Sequence, residues 1–387
     1  MKQEYSAIYE QRINNAKTEL EQVAHEIYSN PEVGMQEFHA AKVQVEYLKN
    51  QGFNVIEKFG GVDTAFAAKV GMGKPVIAIF SEYDALPEVG HACGHHLIAL
   101  SALTAFTGLA AVLEKFSIPG TVLLVGSPAE EALGGKVDIA NSGVIDDMDY
   151  ALITHPYYVT NTDPGNLAVT RFEVEFYGRA AHASVSPEKG LNALDAVNLL
   201  FAGISFWRQQ LPQCARVHGT ITHGGDMPNI IPDYTKSFFY LRSPDNTMQQ
   251  EVETRFTNIV KGAALMTGCE YKIIPFGNNY AANKSCPALE AAAKSSLEDA
   301  GFKLSRINQL ISTDFANMTL LAPGTNLMFS VIEGDRETAL HSIEFRELAA
   351  KPYAYNAAFR AGQAVADTAL KVLTSHELRQ RVEKEFE

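Results

Sequence analysis

The hydrophobic positions of the first 160 residues follow two periods, and each period predicts a different kind of element. Helical spacing covers residues 5–29, 36–51 and 136–141, and the apolar segment 97–113 is typical of a core helix. Short apolar runs at residues 64–70, 75–80, 121–126 and 150–154 have the length and composition of buried strands. Strands that alternate with helices predict an α/β fold with a mostly parallel sheet covered on both faces.

The pattern changes near residue 169, where apolar and polar residues partly alternate through residue 177. The next predicted elements are a helix (192–210), two strands (217–222 and 235–242), a helix (247–266) and a strand (271–275). This order predicts a small α+β domain of ferredoxin-like topology inserted into the first domain. Helices and a strand resume from about residue 289. We therefore expect a main domain formed by residues 1–168 and 279–387, interrupted by residues 169–278.

Composition narrows the possible partners and the cellular compartment. The chain has 387 residues and a formal net charge of −13, which argues against nucleic acid or an anionic membrane as a partner. The apolar segment 97–113 contains polar residues and is shorter than the ~20 residues that a membrane span needs. Four widely spaced cysteines without a visible export signal predict reduced thiols and a cytoplasmic location.

Residues that could bind a metal ion follow the ends of predicted strands. They are Cys93, His95, Glu130, Glu131 and His155, with His341 after a later strand. Side chains at the carboxyl ends of parallel strands meet at one edge of the sheet. Cysteine, histidine and glutamate are zinc ligands, and a neighbouring free glutamate can serve as the base for hydrolysis. The joint placement favours a metallohydrolase.

Each of these residues also has an ordinary structural explanation. A lone His155 or His341 is commonly a core or surface histidine, and Cys93 alone is commonly a small buried side chain. The inserted domain contributes His182, a loop histidine, and Asn229, which lies between prolines in a predicted turn. Arg242 could be an exposed charge or a clamp for a carboxylate. Separately these residues indicate little, so the prediction depends on their combination.

The motifs in this chain resemble the M20 metallopeptidase family. Within it they resemble the amidohydrolase-like subfamily that has a cysteine among its metal ligands. That subfamily includes the B subunits of p-aminobenzoyl-glutamate hydrolases and the aminoacylase-1-like protein 2 group. The matching motifs span nearly the whole chain, in order, at residues 82–87, 90–95, 128–131, 155–156, 178–184, 192–196, 216–219, 228–235 and 312–314.

The resemblance implies a zinc-peptidase-like catalytic domain interrupted by a lid domain that dimerises, giving a homodimer or a tetramer. It implies two divalent ions, zinc or manganese, held by Cys93, His95, Glu131, His155 and His341. Glu130 falls on the general-base position, and His182 on that of a histidine that in several relatives reaches the partner subunit's active site. Asn229 and Arg242 fall on positions that, in some relatives, bind the substrate's carboxylate.

The chain departs from the subfamily pattern beside the cysteine. The pattern often reads Cys-Gly-His-Asp-Ala-His, whereas here His95 is followed by His96, Leu97 and Ile98. In other branches of the family an aspartate bridges the two ions. Asp84 lies near that position, and we expect it to orient a ligand because Cys93 takes the bridging place.

The predicted function is metal-dependent hydrolysis of a small amide. N-acyl amino acids, p-aminobenzoyl-glutamate-like amides and dipeptides all remain open as substrates. One alternative is a cysteine hydrolase that uses Cys93 with His95. Another is a non-catalytic protein that binds a metal or ligand and retains the metallopeptidase fold.

Overall fold

The computed structural model describes residues 1–162, 165–307, 311–334 and 336–387. The chain divides into two compact units. Unit 1 comprises Met1–Gly165 and Asn283–Glu387, and unit 2 comprises Asn166–Ala282. The corresponding boundaries predicted from the sequence are 168/169 and 278/279.

The described residues form helices and strands in close to the predicted order. The helices are α1 (Gln3–Ser29), α2 (Phe38–Asn50), α3 (His95–Phe116), α4 (Gly135–Asn141), α5 (Ala193–Trp207), α6 (Asn246–Thr267), α7 (Pro287–Asp299), α8 (Phe315–Leu321), α9 (Ile343–Ala349), α10 (Pro352–Thr374) and α11 (His376–Phe386). The strands are β1 (Val55–Glu57), β2 (Phe66–Met72), β3 (Val76–Ser81), β4 (Gly120–Gly126), β5 (Tyr150–Tyr157), β6 (Asn161–Thr162), β7 (Ala168–Tyr177), β8 (Arg216–His223), β9 (Tyr234–Ser243), β10 (Glu270–Pro275) and β11 (Gly324–Ser330).

Unit 1 contains a seven-stranded sheet with the order β1-β2-β4-β3-β5-β11-β6. The four central strands, β4, β3, β5 and β11, are parallel, which confirms the predicted α/β architecture. The outer strands β1, β2 and β6 are antiparallel to their neighbours. A parallel crossover requires a dozen or more residues, and the connection from β2 to β3 is too short for one.

Helix α3 lies at the centre of unit 1, between α1 and α10. The close approach of α1 requires Gly108, because a Cβ there would lie 2.1 Å from the Tyr9 ring. Among the described helices, α3 alone is long and apolar enough to cross a membrane by length and composition, and 89% of its most apolar window is buried inside the protein. This burial agrees with the predicted core helix.

The start of α3 differs from the sequence prediction, which began the helix at Leu97. The helix begins at His95, directly after Gly94 in a left-handed conformation with φ 79°. A Cβ at Gly94 would lie 2.8 Å from Cγ of Pro156, so both the backbone angle and the space require glycine. The first turn of α3 therefore carries His95.

Unit 2 has the strand order β10-β7-β9-β8, with every neighbouring pair antiparallel. The chain order β7-α5-β8-β9-α6-β10 confirms the predicted α+β topology. Alternate residues of β9 are buried. Its buried face packs with α5 and α6 in a separate hydrophobic core.

Candidate metal centre

The candidate residues of unit 1 converge where β3, β4 and β5 end. Cys93, His95 and His155 form one group, in which one ligand atom from each residue lies within 4.8 Å of the others. All three side chains are buried. Cys93 Sγ lies 3.5 Å from His155 Nε2. A sulfur and two imidazole nitrogens at these separations can surround one metal ion.

The Nε2 atom of His155 is unprotonated and carries a lone pair that can bind a metal ion. Its Nδ1–H donates to the Pro156 carbonyl at 2.8 Å, and because a carbonyl only accepts, the proton must be on Nδ1. Burial lowers the pKa of His155 to about 4. The ring is therefore neutral near pH 7, the state in which imidazole binds metals.

A second group consists of Cys93, Glu131 and His341, again with ligand atoms within 4.8 Å. His341 Nε2 lies 3.4 Å from Glu131 Oε2, and the side chain of His341 is 51% exposed. The His341 N–H donates to the Ala92 carbonyl at 3.0 Å, which ties the loop of His341 to that of Cys93. Cys93 belongs to both groups, so its sulfur faces two neighbouring ligand sets.

Asp84 connects the two groups. His95 Nδ1–H donates to Asp84 Oδ1 at 2.9 Å, and the Glu131 N–H donates to Asp84 Oδ2 at 3.0 Å. Burial alone would raise the pKa of Asp84, but the charge and hydrogen bond of His95 hold it below its usual value. One ionised carboxylate thus orients the His95 ring and the backbone of Glu131.

Glu130 and Glu131 are adjacent in sequence but have different surroundings. Together with His95 they form a third group of closely spaced ligand atoms, and Glu130 Oε2 lies 3.9 Å from His95 Nε2. Burial and the charges of Glu82 and Glu131 raise the pKa of Glu130 well above its usual value. Burial also raises the pKa of Glu131, but His95 and His341 oppose that shift.

Lys136, which the sequence analysis did not single out, is a buried cation in the first turn of α4. Its Nζ lies 2.6 Å from both Glu82 Oε1 and Asp314 Oδ1. Burial alone would lower the pKa of Lys136, but Asp314, Glu82 and Glu130 raise it above its ordinary value. Asp314 belongs to one of the matching motifs, at residues 312–314, without a predicted role. The sequence carries no signal that Lys136 and Asp314 meet.

Two buried polar atoms in this cluster indicate that its residues fit metal ions. His95 Nε2 and Glu131 Oε1 have no hydrogen-bond partner within the described part of the chain. Burying an unpartnered polar atom is unfavourable, and a bound cation would remove that cost. A donor set of sulfur, imidazole nitrogen and carboxylate oxygen suits zinc.

The same surroundings disfavour Cys93 as a free nucleophile. Burial and the charge of Glu131 raise the pKa of the Cys93 thiol well above its usual value. The reactive species of cysteine hydrolases is the thiolate, which this environment disfavours unless a cation is present. The geometry therefore supports Cys93 as a ligand over the cysteine-hydrolase alternative.

The remaining candidates lie in unit 2. His182 is exposed, and its Nδ1 accepts a hydrogen bond from the Ser184 N–H at 3.3 Å. The Ala183 N–H donates to the Asn229 carbonyl at 3.0 Å, so the structure brings His182 and Asn229 into neighbouring segments. Arg242 lies on β9, where burial and the charge of Arg171 lower its pKa.

Comparison with known proteins adds a family and several relatives. The model of peptidase family M20/M25/M40 matches residues 78–358. The mouse Xaa-Arg dipeptidase is 33% identical over 393 residues, covering 97% of this chain and 90% of the relative. The B subunit of the p-aminobenzoyl-glutamate hydrolase of Escherichia coli K12 is 37% identical over 264 residues, covering 63% of this chain and 55% of the relative.

Solved structures share the fold. The aminobenzoyl-glutamate utilization protein of Klebsiella pneumoniae has a TM-score of 0.73 at 20% identity, covering 94% of this chain and 98% of that one. A Bacillus subtilis protein described as a dinuclear metal-binding M20 peptidase has a TM-score of 0.66 at 22% identity, covering 95% and 99%. At these identities the likeness concerns the fold alone.

Proposed function

The chain belongs to peptidase family M20/M25/M40 and is a metal-dependent hydrolase of amide or peptide bonds, and we propose that it cleaves small N-acyl amino acids, p-aminobenzoyl-glutamate-like amides or dipeptides. The observation that carries this proposal is the pair of ligand groups that share Cys93, with Glu130 beside them. A non-catalytic protein would have no need for a buried base next to its ligands.

We assign the ligands of two divalent ions from the two groups. Cys93, His95 and His155 would hold one ion, and Cys93, Glu131 and His341 the other. Zinc is the favoured metal because thiolate and imidazole ligands suit it, with manganese as the alternative. When bound, such ions supply Lewis-acid activation of the scissile carbonyl and of the attacking water.

Glu130 is the proposed general base. Burial and neighbouring carboxylates raise its pKa, which increases its affinity for a proton. Glu130 would take a proton from the attacking water and deliver it to the leaving amine. Glu131 cannot share this role while its carboxylate, 3.4 Å from His341, serves as a ligand.

We further propose that unit 2 forms a homodimer and that His182 serves the active site of the partner subunit, where it would stabilise the oxyanion. Among the described strands β8 pairs only with β9, so its outer edge is unpaired. Phe206 on α5 is 78% exposed, and Ile221 on β8 is 39% exposed. Asn229 and Arg242 are proposed to bind the substrate's carboxylate.

Mixing of subunits tests the role of His182. In a dimer of one Glu130→Ala chain and one His182→Ala chain, one site has both residues if His182 acts across the interface. Random 1:1 mixing should then recover about a quarter of wild-type activity. Recovery of no activity from efficiently exchanging subunits would exclude that arrangement. Sedimentation would distinguish a dimer from a tetramer.

The hydrolase proposal is tested with metal-reconstituted protein and a substrate panel. The panel contains Xaa-Arg dipeptides, p-aminobenzoyl-glutamate and hippurate, with release of the free amino acid as the readout. We expect turnover of at least one member. The matched variant Glu130→Ala should keep its metal content and lose turnover by about 10²–10⁴-fold. Metal-loaded protein that releases no amino acid would favour a binding role instead.

We also propose a cytoplasmic location. Cys93, Cys214, Cys269 and Cys286 are all free thiols in the structure, which suits a reducing compartment. Fractionation of the cells that produce the protein tests this location. Recovery of the protein in the membrane or secreted fraction would contradict it.

A further inference from the structure

The turn that precedes the paired glutamates has an unusual backbone. Ala129, directly before Glu130, has a φ of 61° although it is not a glycine. Its side chain is buried, and the chain at Gly34 approaches so closely that a Cβ there would lie 2.9 Å from Cβ of Ala129. The left-handed conformation is unfavourable for a residue with a Cβ, so other contacts must hold it in place.

Glu37 supplies one of those contacts. It is fully buried at the start of α2, and its Oε1 accepts a hydrogen bond from the Ala129 N–H at 2.8 Å. Its Oε2 accepts one from the Thr64 hydroxyl at 3.1 Å. The Thr64 carbonyl in turn accepts from the Tyr83 hydroxyl at 2.6 Å. Glu37 therefore ties the turn to the loop that carries Asp84.

The backbone around Glu130 is held on both sides by carboxylates. Glu37 accepts from the N–H of Ala129, and Asp84 accepts from the N–H of Glu131 at 3.0 Å. The Gly134 N–H closes the same loop by donating to the Ala129 carbonyl at 2.8 Å. The direction in which Glu130 leaves the backbone is consequently determined by two buried side chains from other segments.

We propose that Glu37 is a positioning residue for Glu130, because it holds the Ala129 turn in the conformation that aims the base. The inference rests on the proposed function, since it assumes that Glu130 is the base. Without Glu37 the turn is free to leave the left-handed conformation, which would re-aim Glu130. A misplacement of about 1 Å at a catalytic group can cost on the order of 100-fold in rate.

Substitutions at Glu37 separate positioning from folding. Glu37→Ala removes the acceptor of the Ala129 N–H, and we expect kcat to fall about 10- to 100-fold with KM and metal content nearly unchanged. Burial and the charge of Asp84 raise the pKa of Glu37 to about 7, and either protonation state keeps an oxygen that can accept. Glu37→Gln also keeps that oxygen, so it should restore kcat to within about fivefold of wild type.

Glu32→Ala is the matched control. Glu32 lies five positions earlier and accepts hydrogen bonds from the N–H groups of His39 and Ala40 at 3.0 and 2.9 Å. It therefore caps the start of α2, and its carboxylate makes no hydrogen bond to the Ala129 turn. Its loss should lower the unfolding temperature and leave kcat per folded molecule unchanged.

The experiment measures kcat, KM, metal content and folded fraction for these variants and for Glu130→Ala. Equal kcat per folded molecule in Glu37→Ala and Glu32→Ala would overturn the inference. If Glu37→Ala does not fold, Glu37→Asp retains a carboxylate but is one methylene shorter, which withdraws the acceptor from the Ala129 N–H, and an unchanged kcat per folded molecule in that variant would overturn the inference. Turnover retained by Glu130→Ala would instead contradict the proposed function, whatever the Glu37 variants show.

Discussion

Lys136→Met tests the electrostatic design of the site most directly. Lys136 Nζ lies 2.6 Å from the carboxylates of both Glu82 and Asp314, and its backbone N–H donates to Asp314 Oδ2 at 3.0 Å. Methionine fills much of the same volume but carries no charge. The substitution therefore leaves two buried carboxylates without their shared cation while disturbing packing little.

The size of the destabilisation expected for Lys136→Met follows from the burial of the ion pair. Removing one partner of a buried ion pair costs about 3–5 kcal/mol, because the remaining charge stays desolvated. In a unit of this size each kcal/mol corresponds to roughly 2 °C in unfolding temperature, so we expect a loss of about 6–10 °C. Lys42→Met is the matched control. The Lys42–Glu46 pair is exposed and 3.7 Å long, and such pairs contribute less than about 1 kcal/mol.

Thermal unfolding followed by circular dichroism measures both variants. Burial raises the pKa of Asp314 to about 6 even though Lys136 opposes the shift, and without Lys136 that pKa should rise further. A carboxyl group whose pKa is raised in the folded state makes the folded protein less stable as pH increases through that range, because the group ionises less readily in the folded state than in the unfolded state. The loss of unfolding temperature caused by Lys136→Met should therefore be larger at about pH 8 than at about pH 5. A loss no greater than that of Lys42→Met at both pH values would refute this reasoning.

Three further predictions concern the metal ligands. Asp84→Asn weakens the hydrogen bond that orients His95, so metal affinity measured by competition with a chelator should fall about 10- to 100-fold; unchanged affinity would contradict the orienting role. Removal of metal by a chelator should lower the unfolding temperature and abolish turnover, and added zinc should restore both, whereas an unfolding temperature independent of metal would argue against ions at this site. Cadmium bound at this site should give a thiolate-to-metal absorption band that Cys93→Ser loses and that substitution of exposed Cys214 by serine leaves unchanged, and a band unaffected by Cys93→Ser would exclude Cys93 as a ligand.

Hydrophobic periodicity alone predicted most of the architecture, because the helices and strands of both units bury their apolar residues in the patterns expected for their type. The strands of the central sheet are continuous apolar runs with helices on either side, and β9 alternates between buried and half-buried residues. The start of α3 was missed because His95 and His96 are polar residues, although both are buried in the helix. Apolar periodicity cannot detect polar residues that are buried inside a helix.

Glu37 and Lys136 show what sequence patterns omit. A glutamate at the start of a helix commonly interacts favourably with the helix dipole at the surface, and a lysine in a helix is commonly solvated. Glu37 is instead buried against a turn 92 positions away, and Lys136 against an aspartate 178 positions away. Such pairings exist only after the strands are assembled, so local sequence does not indicate them.

The buried charges around Glu130 are mostly negative, and this imbalance connects stability with chemistry. The carboxylates of Glu82, Glu131 and Asp314 act on Glu130, and Lys136 offsets part of their charge. Raised pKa values at Glu130, Glu131 and Asp314 mean that protons are favoured there in the absence of other cations. Protons and divalent ions therefore compete for the same excess of negative charge. Without bound cations, the excess negative charge of this site weakens the fold. The same excess suits the site to hold two metal ions beside a base of raised proton affinity.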